Sequence, residues 1–477
     1  MKIIIAGGGT AGWMTAMYLS TVIGRFDITI IDKETPERIG VGEATVLDFV
    51  PFIEECKLDI FEVLRETTGT LKSGIMFPGW KNINNEVWHP FFTCVTYYGT
   101  NIYDAWSNSQ DKSFAESSLP MLENSLANKV DRENLHVYAV HIDCLKLVNY
   151  LKKKLTNRIS MIDSDIVDVV KNNNEVEKLI LSNGEEITAD LYIDCTGFKS
   201  ILKKQDRVDI SDRLFCNTAV AGHIPYQDIE KEAIPYVISQ AVDHGWIWKI
   251  PVQDRYGSGL VFNRDITSID EAKEYFVKHW DHRVSIDELR VIDWTPYYCK
   301  NIWKENVVSI GLSGGFIEPL ESTGLSLMIK GIGNLARKIY NGYFTEFDVN
   351  LYNTQMINIY EDAIDFVSMH YADTERQEPF WQYVKSKWKP SDRMEHYKSL
   401  LASKDPLSKM QDHIQDSRMV SATNWLLWLI QLGYPVGQRE LNTDPDLIFD
   451  LFSKAEKERT ERSIPNVEMI NFIKGYN

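Results

Sequence analysis

Ile3-Ile4-Ile5-Ala6-Gly7-Gly8-Gly9-Thr10-Ala11-Gly12 decides how this chain is read. Four consecutive apolar residues are the run shown by a strand buried on both faces of a parallel sheet. Gly7, Gly9 and Gly12 follow at the G-x-G-x-x-G spacing. Trp13, Met14, Ala16, Met17 and Leu19 then read as a buried helix, and Ile28–Ile31 as a second strand ending at Asp32. The whole is a β-α-β unit of about 30 residues. In such a unit the first glycine makes the tight turn. The second lets a pyrophosphate approach the backbone, and the third lets the helix pack on the strand. The helix start offers free N–H groups and a partial positive charge to phosphates. Asp32 lies 20 residues beyond Gly12, where a carboxylate accepts hydrogen bonds from a ribose. The unit predicts a bound dinucleotide held by Gly7, Gly9, Thr10, Ala11, Gly12, Trp13 and Asp32.

Outward from this unit, residues 33–135 are rich in loop residues and aromatics, with Trp88-His89-Pro90-Phe91-Phe92 among them. Leu147, Val148, Leu151 and Leu155 fall on one helical stripe. Turn signals at Asn172-Asn173-Asn174 and Asn183-Gly184 separate β-like runs, which predicts an antiparallel meander from about Met161 to Cys195. Val307–Ile310 reads as one more buried strand, entering the loop from Gly311 to Gly324 and then a helix from Leu325 to about Tyr340. The expected organisation is an α/β core over 1–345, with a loop-rich insert at about 46–135 and antiparallel strands at about 161–300. A mostly helical lobe over 346–477 is expected to bind substrate. The motif alone leaves FAD and NAD(P) open. The long insert and the late strand with its glycine loop favour a flavoprotein layout, in which a distant segment returns to the cofactor.

Composition bounds the function. The chain has 477 residues, 44% hydrophobic and 25% charged, as a folded protein with a sizeable core has. Its net charge of −17 argues against a nucleic-acid surface. Six cysteines stand far apart with no CxxC pair. Neither a disulfide framework nor a zinc site is expected, and a reduced cytoplasmic setting is. No run approaches about 18 unbroken apolar residues, so no membrane span is expected. The apolar N-terminus reads as mature structure rather than a signal peptide.

Three further segments carry a family resemblance. Trp246-Ile247-Trp248-Lys249-Ile250-Pro251 fits W-x-W-x-I-P. Gly315-Phe316-Ile317-Glu318-Pro319-Leu320-Glu321-Ser322-Thr323-Gly324 is a rare string, and Gly40-Val41-Gly42-Glu43-Ala44-Thr45 follows the first unit. With Gly7–Trp13, and with Met369-His370-Tyr371 through Pro379-Phe380-Trp381, they make residues 1 to about 390 resemble the flavin-dependent halogenases, in particular the tryptophan-halogenase family. The resemblance implies a flavin monooxygenase-type FAD-binding Rossmann-like domain with an attached lobe. It implies reduced FAD delivered by a separate reductase. Reduced FAD, O2 and a halide ion then give hypohalous acid, which travels through a tunnel to halogenate a small aromatic substrate.

By the same resemblance Lys72, in Leu71-Lys72-Ser73-Gly74-Ile75-Met76-Phe77-Pro78-Gly79-Trp80, is the essential lysine; Lys81 is the less favoured candidate. A cationic amine there can hydrogen-bond hypohalous acid and polarise the halogen, or be halogenated itself. Glu321 maps to the catalytic glutamate, orienting the oxidant or accepting the proton lost from the ring. Thr323 and Gly324 map to the halide site, where N–H groups opening a helix make an anion site. Trp246 and Trp248 map to the indoles beside the flavin. His89, Pro90 and Phe91 map to the substrate pocket, and Glu43, Ala44, Leu312 and Leu325 to further cofactor contacts. Plain structural readings compete at several positions: i, i+2 tryptophans pack well in any sheet, and Phe91 suits an ordinary core.

One departure bears on substrate. The tryptophan-specific members carry a C-terminal Tyr-Tyr-Glu cluster that holds the amino acid's charged groups. The comparable region here, Ser408 to Tyr434, lacks it and offers only Trp425 and Trp428 as an aromatic remnant. Without partners for a zwitterion, free tryptophan would leave charges unsatisfied, and an indole, a phenol or a larger aromatic is expected. Two other functions compete: an aromatic monooxygenase on the same fold, which has no use for Lys72, and a non-catalytic flavin-binding protein. The apolar block Trp425–Ile430 packs either internally or against another subunit.

Overall fold

A computed structural model describes residues 1–33, 43–92, 95–109, 112–203, 206–342, 344–405 and 419–475. Gly40, Val41 and Gly42, Cys94, and residues 408–418 of the departing C-terminal stretch lie outside the described residues. The chain forms two compact units, each drawn from three segments. The first takes Met1–Gly69, Ile142–Ser211 and Thr295–Tyr360; the second takes Thr70–His141, Asp212–Trp294 and Glu361–Asn477.

The first unit is built on a six-stranded sheet in the order Ser160–Ile162, Asp27–Ile31, Lys2–Ala6, Leu191–Asp194, Val307–Ser309 and Trp303–Lys304. All neighbours run parallel except the last pair. The expected strand at residues 3–6 is central, and Ile3, Ile4, Ile5 and Ala6 are all fully buried. From this strand the chain steps first to Asp27–Ile31 on one side, and later to Leu191–Asp194 on the other. Such a reversal of strand order opens a crevice at the carboxyl ends of the strands, where Gly7 to Gly12 lie. The expected meander is present but shorter. Ile166–Asn172, Glu175–Leu181 and Glu186–Ile187 pair antiparallel, whereas Ser160–Ile162 and Leu191–Asp194, also assigned to it, join the parallel sheet. Leu191–Asp194 is buried throughout, as suits an inner strand of a sheet covered on both faces, and Ser160–Ile162 is the more exposed edge strand.

The second unit carries a seven-stranded sheet in the order Arg290–Asp293, Thr218–Pro225, Arg255–Phe262, Gly245–Pro251, Val237–Val242, Gly74–Pro78 and Glu86–Pro90. One face packs Ile247, Leu260 and Val220 against Phe276, Val277 and Trp280, contributed in part by the amphipathic helix Ile269–His279. The helix Ala422–Leu432 is apolar all round and correspondingly buried. Trp425 and Trp428 are fully buried. Trp425 stacks on Tyr397 at 5.0 Å and Trp428 lies 4.0 Å from His370, ring centroid to centroid. The block Trp425–Ile430 therefore packs inside its own unit. Gln431 of this helix meets the edge strand with both ends of its amide. Its Oε1 accepts from Trp88 N–H (2.9 Å) and its Nε2 donates to the Trp88 carbonyl (2.9 Å).

Among the described residues, Cys56, Cys144, Cys195, Cys216 and Cys299 are buried free thiols. Among the same described residues, no helix is long and apolar enough to cross a membrane, and no group of His, Cys, Asp or Glu is arranged to hold a metal ion.

Candidate functional site

In the first unit the three glycines do three different things. Gly7 sits at φ +104°, and a Cβ there would come 2.4 Å from the Cys195 carbonyl oxygen. Gly12 lies so close to the turn that a Cβ would stand 1.9 Å from the Gly7 carbonyl. Gly9 is the opposite case: a Cβ would meet nothing within 4 Å. Gly9 is also the N-cap of the helix Thr10–Tyr18 and carries no side-chain cap. The first four N–H groups of that helix have no intrahelical acceptor, and the turn leaves room beside Gly9. The crevice has the two properties a pyrophosphate needs, unspent donors and room at the backbone, and these residues fit FAD.

Asp32 is buried at the end of the second strand. It accepts from Trp13 Nε1 at 3.2 Å and pairs with Lys152 Nζ at 3.5 Å. A Cβ on Gly8 would collide with its carboxyl carbon at 1.9 Å. Thr10 and Ala11 open the helix, and Ala11 and Trp13 are buried. Ala44 is buried beside Glu43. Burial pushes the Glu43 carboxyl up, against a hydrogen bond from the Cys144 thiol. Burial, with Glu43 adding to it, holds that thiol far above its ordinary range. Cys144 and Lys152 escape a sequence reading, because both sit on a helix, Cys144–Leu155, whose pattern reports only its buried stripe.

The strand Val307–Ser309 pairs with Leu191–Asp194 and leads into the glycine loop. Leu312 lies in the turn Gly311–Ser313, with its carbonyl accepting from Tyr297 Oη at 2.5 Å. Pro319–Glu321 forms one short turn, and Glu318 and Glu321 are both buried. Ser322 follows at φ +59°, so the chain kinks before the helix Thr323–Asn341 begins. The helix starts two residues earlier than its apolar periodicity predicts, because Thr323 and Gly324 carry no stripe. They occupy its first two positions, where N–H groups have no intrahelical acceptor. Ser322 supplies no side-chain cap. Thr323 Oγ1 is buried without a hydrogen-bond partner, and a Cβ on Gly324 would meet nothing within 4 Å. Leu325 is buried on the same helix.

In the second unit Lys72 is fully buried. It ends the strand Thr70–Lys72, which pairs antiparallel with Ala139–Ile142, Ala139 lying opposite Lys72. After Ser73 the chain enters Gly74–Pro78, paired with Glu86–Pro90 so that Ile75 faces His89 and Gly74 faces Pro90. Phe91 N–H then donates to the Ser73 carbonyl at 3.0 Å. This register brings the Phe91 ring beneath Lys72 Nζ, 4.5 Å from nitrogen to ring centroid, a cation–π contact. His89 and Pro90 are buried; the His89 ring lies 5.7 Å from Phe366 and 6.4 Å from Trp428. Lys81 has another occupation: its Nζ donates to the Leu432 carbonyl at 3.0 Å, at the end of a helix.

Trp246 and Trp248 share one face of the strand Gly245–Pro251, with ring centroids 6.1 Å apart. Trp248 lies across Gly259 on the neighbouring strand, where a Cβ would stand 2.2 Å from the indole. Its Nε1 is buried without a partner. Trp246 continues into a cluster with Trp80, at 6.4 Å.

Comparison with known proteins bears on this arrangement. A curated tryptophan 6-halogenase, ThaL of Streptomyces albogriseolus, is 28% identical over 80% of this chain and 78% of its own length. A curated 7-chloro-L-tryptophan 6-halogenase, KtzR of Kutzneria sp. (strain 744), is 28% identical over 83% of this chain and 85% of its own. The solved structure of Xcc4156, a flavin-dependent halogenase from Xanthomonas campestris, superposes with a TM-score of 0.88 at 25% identity, covering 99% of this chain and 98% of that one. The family profile described as tryptophan halogenase matches residues 2–442. The chain belongs to the tryptophan halogenase family and is a flavin-dependent halogenase.

Proposed function

We propose that the protein is a two-component halogenase. It uses FAD reduced by a separate flavin reductase, and it halogenates an aromatic ring, of indole or phenol type, other than free tryptophan. The observation that carries this is the burial of Lys72 against the Phe91 ring. An amine taken out of water is costly, and a monooxygenase or a flavin carrier has no use for one.

Reduced FAD, when bound, supplies with O2 the two-electron oxidation of halide to hypohalous acid. The chain's residues handle the rest. Thr323 and Gly324 hold the halide on two free N–H groups and a buried hydroxyl. Trp246 and Trp248 keep organic substrate off the flavin. Lys72 donates a hydrogen bond to the oxygen of hypohalous acid, which polarises the halogen. The ring carbon then forms a bond to halogen as the oxygen–halogen bond breaks. The departing hydroxide takes a proton from Lys72, and the ring proton passes to Glu321, restoring aromaticity. His89, Pro90 and Phe91 orient the ring. The absence of Tyr-Tyr-Glu, with Trp425 and Trp428 committed to internal packing, supports a substrate without an amino-acid zwitterion.

The test supplies reduced FAD, O2 and bromide with a panel of indoles, phenols and free tryptophan, read by mass spectrometry. Brominated indoles or phenols are expected. Hydroxylated products would replace this reading with a monooxygenase, and preferred bromination of free tryptophan would overturn the substrate assignment. Thr323→Val is expected to raise the halide KM about tenfold while FAD affinity stays unchanged, since a hydrogen bond to a charge contributes about 1.5–3 kcal/mol. An unchanged halide KM would remove Thr323 from the halide site.

A further inference from the structure

One arginine in the second unit is buried with most of its donors unused. The helix Pro445–Arg462 turns Ile448, Phe449 and Phe452 inward, and its remaining buried residue is Arg459. A charge on the inner stripe of a helix is costly unless its donors are taken up. Among the described residues the buried arginines are Arg376, Arg439 and Arg459. Arg376 gives Nη1 to the Gly79 carbonyl and Nη2 to Glu378. Arg439 gives Nη1 to the Leu400 carbonyl and Nη2 to the Leu401 carbonyl. Arg459 gives only Nε, to Glu456 Oε1 at 3.2 Å. Its two Nη nitrogens donate to no described residue. A guanidinium carries five N–H donors, and here all but one are left over.

This guanidinium stands next to the residues proposed to orient the substrate. Arg459 Cζ lies 5.5 Å from the centroid of the Phe92 ring, as Lys72 Nζ lies 4.5 Å from that of Phe91. Phe91 and Phe92 are consecutive, with Cα atoms about 3.8 Å apart, so one dipeptide carries a cation on each ring. Both rings are only partly buried and offer apolar surface to a ligand. Glu456 is occupied on its other side, where Oε2 accepts from the Met121 N–H at 2.8 Å. It steadies the Nε side of the guanidinium and leaves the Nη edge to another acceptor. The planar fork of Nη1 and Nη2 matches the two oxygens of a carboxylate. Lys72 and Arg459 set against Glu456 leave a single positive charge, which suits a monoanion better than a phosphate dianion.

We propose that Arg459 anchors a carboxylate on the substrate: the ring to be halogenated lies by Lys72 and Phe91, and the carboxylate of its side chain takes the Nη edge beside Phe92. The substrate class is an aromatic acid, of indole or phenol type, with no ammonium group. A lone carboxylate needs a cation and no anionic partner, which agrees with the missing Tyr-Tyr-Glu cluster. The inference rests on the halogenase reading of the Lys72 pocket, but its test reads binding and not turnover.

Affinities are measured by isothermal titration calorimetry on the full-length protein with oxidised FAD bound. The probes are indole-3-propionate and 3-(4-hydroxyphenyl)propionate, each against its own neutral primary amide. In at least one pair the acid is expected to bind at least about tenfold tighter than the amide, the scale of a hydrogen bond to a charge. Arg459→Met is expected to abolish that preference while the affinity for the amide stays within about twofold. Arg459→Lys keeps a charge beside Glu456 but not the planar fork, and should cut the preference about threefold or more. A purely structural role for Arg459 would move acid and amide together. No preference for the acid in either pair overturns the proposal, and so does an equal loss of acid and amide in Arg459→Met. Should Arg459→Met fail to fold, Arg459→Lys decides, and an undiminished preference there overturns the proposal. An intact preference for the acid with no brominated product would instead fault the halogenase reading of the pocket and leave the anchor standing.

Discussion

Lys72→Met is expected to lower halogenated product at least about a hundredfold, the cost of removing one preorganised donor from a catalytic site. Flavin affinity and the halide-dependent consumption of reduced FAD should persist. Methionine suits the test because it matches the length of the lysine stem and keeps the packing over Phe91. Exchanging a fully buried amine for a thioether removes a desolvation cost, and an unfolding midpoint at or near that of wild type shows that loss of product is not loss of fold. Product within threefold of wild type, measured by mass spectrometry at matched flavin turnover, would remove Lys72 from the chemistry.

The second large effect divides the glycines. Gly12→Val is expected to yield no folded protein, because its first added carbon falls 1.9 Å from the backbone oxygen of Gly7 and neither atom can yield. Gly9→Ala is expected to fold, since the added methyl meets nothing within 4 Å. The exchange at a helix N-cap costs under about 1 kcal/mol. The same methyl enters the space proposed for the pyrophosphate, so FAD affinity should fall at least about tenfold. Thermal unfolding with and without FAD checks both: Gly9→Ala should keep its apo midpoint and lose most of the FAD-induced rise. A full FAD-induced rise in Gly9→Ala would move the dinucleotide away from this turn.

How far the sequence reveals the molecule follows from how local each feature is. The glycine turn, its helix and the two flanking strands are legible because three glycines, an apolar run and Asp32 all act within about 30 residues. The return of Leu191–Asp194 and Val307–Ser309 to that sheet is only half legible. An apolar run announces a buried strand but not its neighbours, and Leu191–Asp194 is misread as part of a meander. The seven-stranded sheet is less legible again, since it joins strands from residues 74–90 to strands from 218–293. Lys72 stands out through family resemblance alone: nothing in its neighbours' types states that it is buried. Trp425 and Trp428 show the converse, a conspicuous aromatic pair that proves to be internal packing.

The Gln431 amide on Trp88 has a consequence for self-association. Glu86–Pro90 is the outermost strand of its sheet, and an outermost strand offers its spare N–H and C=O to any passing chain. A carboxamide reproduces a peptide group, so Gln431 supplies a single rung of counterfeit strand and stops the ladder there. Since His89 and Pro90 follow at once, the same rung stands guard over the pocket wall: losing it would invite a foreign strand to dock beside the residues proposed to orient the substrate.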